Sequence, residues 1–141
     1  MWEGVPVDGG TAPLVVVDAA NTVGSVPDGW WRDRHGATER VRDALAALAR
    51  TGLPERADVP AWARRAPLDI VLVVEGAARA VAPVPGVRVQ AAPGSGDDLI
   101  AELVAARAPH RQCLVVTADR ALRRRVTAHG AAVAGPRSVR A

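Results

Sequence analysis

Leu14–Asn21 reads LVVVDAAN, four apolar and mostly β-branched residues that run into a carboxylate, two alanines and an amide. An apolar run without alternation predicts a strand covered on both faces, the pattern of a parallel sheet with helices on either side. The acid at its end has two readings. Asp18 could cap the turn or helix that follows, or it could form one wall of a site.

Working outward, the same kind of run recurs at Ile70–Val74 and Cys113–Val116, with shorter candidates at Val87–Val89 and Ala131–Ala134. Helical patterns alternate with them. Thr38–Arg50 carries Val41, Leu45 and Leu48 on one stripe, with Thr38 as its N-cap and Gly52 and Pro54 closing it. Ser95–Ala108 buries Leu99, Ile100, Leu103 and Val104 and stops at Pro109, and Arg120–His129 ends at Gly130. Asn21–Gly36 and Leu53–Pro67 read as connectors. Strands alternating with helices predict an α/β chain, a three-layer α/β/α sandwich around a mostly parallel sheet. Its length of 141 residues suits one domain, here residues 14–141, after a Gly-rich flexible arm at residues 1–13.

The charge balance is 18 cationic against 15 acidic side chains, and every cation is an arginine. A net charge of +3 permits a nucleic-acid partner without arguing for one. The single cysteine, Cys113, excludes an internal disulfide and sits in an apolar strand, the setting of an inert core thiol. The N-terminal residues lack a signal-peptide pattern, and the most apolar stretch, Leu68–Val84, is broken by charges and a proline. These features predict a cytoplasmic protein without a membrane partner. The three histidines have no zinc spacing, and neither a Walker loop nor a nucleophile elbow is present.

The three strong strands share their ending. LVVVD, IVLVVE and CLVVTAD each run into an acid, namely Asp18, Glu75 and Asp119. In a parallel sheet all such ends lie along one edge, where open α/β folds place their ligands. GSGDD adds Asp97 and Asp98 at the start of a helix expected near that rim. Carboxylates crowded together need a compensating cation, and an oxygen-rich cluster of Asp with Asn is what Mg²⁺ or Mn²⁺ selects. Asn21 orients phosphate without adding negative charge. Arg120 and Arg123, beside Asp119, are candidates to meet a phosphate backbone.

Each residue also has a plainer reading. Asp119 is a ready N-cap, and Ser95 with Asp98 spells a capping box. Glu75-Gly76 reads as a strand exit into solvent, and Trp30 and Trp31 read as packing more readily than as a base-stacking surface.

Taken in order, VVVDAAN at 15–21, GSGDDLI at 94–100 and LVVTADRALRRRV at 114–126 resemble the NYN domain, a branch of the PIN-like nuclease superfamily. The closing HGAAVAGPRSV is similar to the last strand of its bacterial members. The resemblance implies a Rossmann-like α/β/α sandwich and a Mg²⁺- or Mn²⁺-dependent ribonuclease acting on RNA. It implies that Asp18, Asp97 and Asp119 hold the metal, with Asp98 beside Asp97 in the catalytic group. Asn21 and Thr117 would serve as companions toward the substrate. Two rivals share the pattern: a PIN-like module that binds RNA or protein without turnover, and a Mg²⁺-dependent phosphohydrolase of nucleotides.

Overall fold

The computed structural model describes residues 12–140. Five parallel strands form one sheet: β1 (Leu14–Asp18), β2 (Asp69–Val74), β3 (Val87–Ala91), β4 (Cys113–Val116) and β5 (Ala132–Ala134), in the spatial order β3-β2-β1-β4-β5. The apolar runs are continuous because alternate residues feed opposite cores. Val15 and Val17 of β1, with Ile70, Leu72, Val74, Leu114 and Val116, pack on one face. Leu14 and Val16, with Val71, Val73, Cys113 and Val115, pack on the other.

Helices α1 (Ala19–Val23) and α2 (Arg34–Thr51) cover the first face, while α3 (Gly96–Ala106) and α4 (Arg120–Thr127) cover the second. The fold is therefore the expected three-layer sandwich on a parallel sheet. The chain winds outward from β1 through β2 to β3, then crosses to β4 and β5 on the other side of β1. The switch in winding direction leaves a crevice at the C-terminal ends of β1 and β4, the place where such folds bind ligands.

Several boundaries differ from the sequence expectation. The segment read as a loop from Asn21 begins inside α1, which Asp18 itself caps by accepting a hydrogen bond from the Asn21 N–H. Helix α2 begins four residues before Thr38. Its cap is Asp33, which accepts from the Gly36 N–H, while Thr38 is buried inside the helix and donates to the Arg34 carbonyl. Both Asp33 and Thr38 are good caps, and burial of Ala37, Thr38, Val41 and Leu45 on one stripe decides for the longer helix.

Most of the expected arm, residues 1–11, lies outside the described residues. Its last two residues are tied down. The Ala12 carbonyl accepts from Arg111, the Pro13 carbonyl accepts from the Asp69 N–H, and Asp69 grips Arg88 and Arg111 at 2.8 Å each. This ion network closes the edge of the sheet opposite the crevice. Cys113 is buried, and burial pushes its thiol up to about 11, as fits an inert core residue. Among the described residues, no helix is long and apolar enough to cross a membrane.

Candidate acidic site at the strand ends

The β1–β4 crevice is held by the side chains of Asp18 and Asn21 from one wall and by the Thr117 hydroxyl and the Ala118 N–H from the other. The Thr117 hydroxyl, fully buried, donates to Asp18 Oδ2 at 3.0 Å, and the Ala118 N–H donates to Asn21 Oδ1 at 2.8 Å. Thr117 Oγ1 also accepts from the Asp119 N–H at 3.1 Å. One hydroxyl therefore fixes two of the acids, and Thr117 is a positioning residue beneath the site, too buried to face a substrate. The Asn21 carbonyl oxygen is committed to Ala118, while its NH₂ donates to nothing among the described residues.

Asp18 is buried with both carboxylate oxygens engaged. Burial raises its pKa above the usual carboxylate value. The hydrogen bonds from Asn21 and Thr117 offset part of this, and the charges of Asp97 and Glu75 add to it. Asp97, in the first turn of α3, is also raised, by burial first and then by Asp119 and Glu75. Its carboxylate accepts no hydrogen bond among the described residues. Asp119 caps α4 through the Leu122 N–H at 2.9 Å, so its structural role and its place on the rim coexist. Asp18 thus stands in the field of Asp97 and Glu75, and Asp97 in that of Asp119, Glu75 and Asp98.

Glu75 departs from the expected exit into solvent. Its Oε1 accepts from the Gly96 N–H at 2.8 Å, which pins the start of α3 to the end of β2. A β-carbon at position 96 would collide with that oxygen, so glycine permits the bond. No local signal marks this pair, because the partners are 21 residues apart. Gly96→Ala and Glu75→Ala are each expected to cost about 1 kcal/mol. Because both remove the same bond, the double variant in urea melts should cost clearly less than their sum.

Other expected residues are engaged elsewhere. Asp98 is exposed and pairs with Arg125 at 3.0 Å, so the capping box does not form, and Ser95 alone caps α3 through the Asp97 N–H. Arg123 spends its Nε on the Thr117 carbonyl at 2.8 Å, tying α4 to β4. Arg120 is exposed at the start of α4. Trp30 is half-buried against the core, as expected for packing, whereas Trp31 is 55% exposed with Arg32 stacked over its ring.

For a divalent cation the donor chemistry of the rim fits, being hard carboxylate oxygens whose mutual repulsion a cation would relieve. Its arrangement is looser than a cage. Among the described residues, no three acid, imidazole or thiol side chains are grouped so as to hold a metal ion.

No protein-family model matches the chain, and no curated protein matches it. Among solved structures it is similar to a crystal structure of a variant of Rae1 (YacP) from Bacillus subtilis. The TM-score is 0.62 and the identity 16%, over 89% of this chain and 70% of that one. At that identity the likeness is one of fold, and it places the α/β/α sandwich described above beside a known architecture.

Proposed function

We propose that the chain is a metal-dependent ribonuclease that hydrolyses RNA phosphodiester bonds at the β1–β4 crevice. The observation that carries this reading is that burial and neighbouring acids, Asp97 and Glu75 at Asp18 and Asp119 and Glu75 at Asp97, raise the proton affinities of Asp18 and Asp97. The NYN-like order of the three motifs supports it. Asp18, Asp97 and Asp119 would hold Mg²⁺ or Mn²⁺, which when bound supplies Lewis-acid activation of water and neutralises charge on the phosphate.

The chain's own residues do the rest. Thr117 and the Asn21 N–H fix the Asp18 carboxylate, so that little reorganisation remains at the moment of reaction. The NH₂ of Asn21 is left to donate to a phosphate oxygen. The Asp97 carboxylate accepts no hydrogen bond among the described residues, so its oxygens are left for the cation.

The test incubates the full chain with an end-labelled single-stranded RNA and, separately, with nucleoside triphosphates, each with Mn²⁺, with Mg²⁺ and with EDTA. RNA fragments formed only with a cation are expected. Turnover of the triphosphates alone would instead favour the phosphohydrolase. RNA bound but uncut in every condition would favour the non-catalytic module, to which the loose grouping of the acids lends some weight.

A further inference from the structure

Beside the rim, on the α1 side of the sheet, runs a groove of about 1140 Å³. Its walls are α1 with the loop up to Trp30, the stretch Pro54–Arg56, and the C-terminal segment from Gly135 to Arg140. Asn21 and Ala118, the pair bonded across the crevice, belong to its lining, so the groove opens onto the acidic site. Its volume exceeds that of ordinary small-molecule pockets, roughly 300–1000 Å³, and suits a length of extended chain.

Once the acids that hold its arginines are counted, one positive charge is left uncompensated in it. The lining holds three guanidinium groups, Arg56, Arg137 and Arg140, and one carboxylate, Glu55, which leans 3.8 Å from Arg64. Arg140 is held by Asp28 and by the carbonyls of Thr22 and Val23 at the end of α1. Arg56 faces Asp58 at 3.4 Å. Arg137 is exposed and has neither ion pair nor hydrogen bond among the described residues, so its charge is available to a ligand. Trp30 closes one wall, packed against the core with the Arg34 guanidinium over its ring at 5.2 Å.

Acids alone repel a polyanion, so a phosphodiester reaches this rim only if cations close by hold its neighbouring phosphates. An exposed, unpaired arginine beside the acids is where a phosphate backbone can be held. We propose that this groove holds single-stranded RNA leading into the acidic crevice, with flanking phosphates against Arg137 and Arg56. The proposal rests on the nuclease reading for its direction, but binding can be read without cleavage.

The experiment measures anisotropy of a labelled twelve-nucleotide oligouridylate in EDTA, so that no cation-dependent turnover intervenes. Wild-type chain is expected to bind. Arg137→Glu should weaken binding at least about tenfold, and Arg137→Ala should lower the salt-dependence slope by about 0.7 for one lost phosphate contact. Arg50→Glu, an equal charge change at the far end of α2, should stay within about twofold of wild type. Thermal melts verify the fold of each variant.

The groove is overturned if Arg137→Glu binds as wild type does, if Arg50→Glu weakens binding equally, or if wild type does not bind. It is also overturned if an oligoglutamate of matched charge competes as well as the RNA, since an acidic peptide would then be the better occupant. Wild type that cuts RNA while Arg137→Glu binds unchanged sinks the groove alone. Wild type that binds through Arg137 but never cuts sinks the nuclease reading alone.

Discussion

Asp119→Asn should cut cation-dependent RNA cleavage by at least about a hundredfold and leave the melting temperature nearly unchanged. Asparagine caps a helix as well as aspartate does, so the bond from the Leu122 N–H survives and only the charge is lost. Asp18→Asn should lose as much activity and gain stability. Its carbonyl oxygen still accepts from the Asn21 N–H, and the amide NH₂ can donate to Thr117, reversing that bond.

The gain in stability follows from linkage. The folded Asp18 carboxyl keeps its proton to a higher pH than the unfolded one, whose ordinary value is 3.8. Between those two values the folded state binds more protons. Wild-type stability therefore falls as pH rises through that interval and stays at the lower level above it. The amide variant does not titrate and escapes that loss. At pH 7 Asp18→Asn is expected to melt above wild type, and the gap should close as pH falls below the ordinary carboxylate value. Initial cleavage rates and melts at the two pH values check both parts. Full activity in both variants would remove the acids from the mechanism.

How far the sequence foretold the site follows from where each interaction lies along the chain. The β1 run was legible because each of its residues is buried and alternate ones serve different cores, which leaves no polar interruption. Asp18, Asn21, Thr117 and Asp119 were legible because each lies within three residues of the end of a strand whose apolar pattern is unmistakable. The local readings and the site readings then proved compatible: Asp18 and Asp119 each cap a helix while standing on the rim.

What was missed depends on contacts distant in sequence. Glu75 bonds a glycine across the β3 crossover, and Asp98 is drawn off by Arg125 on a neighbouring helix. The groove forms from three segments, of which two fall largely in stretches read as connectors and the third follows the last strand. No periodicity in any one of them reports that they meet.

Gly52→Ala should be the most damaging single substitution for stability, costing more than about 3 kcal/mol in urea unfolding. Gly52 ends α2 at φ 88° and ψ 166°, a region that side-chain-bearing residues scarcely enter. Forcing alanine there costs about 1–3 kcal/mol on its own. A β-carbon would also strike the Arg64 carbonyl, which is backbone and cannot swing aside. The Leu53 N–H bonds the Ala63 carbonyl at 2.9 Å, so the two ends of the 52–64 segment are drawn together at this point, with Leu53 and Ala63 both buried. Relief of the clash must therefore pull that contact apart. The same segment carries Arg56 into the groove, and its Asp58 accepts from the Gly135 N–H at 2.9 Å beside the exit of β5. The acids of the rim stand on β1, β2, α3 and α4, away from it. Folded Gly52→Ala is thus expected to lose RNA affinity more than turnover of bound RNA. A variant within about 1 kcal/mol of wild type would show that the 52–64 segment yields where its geometry says it should not.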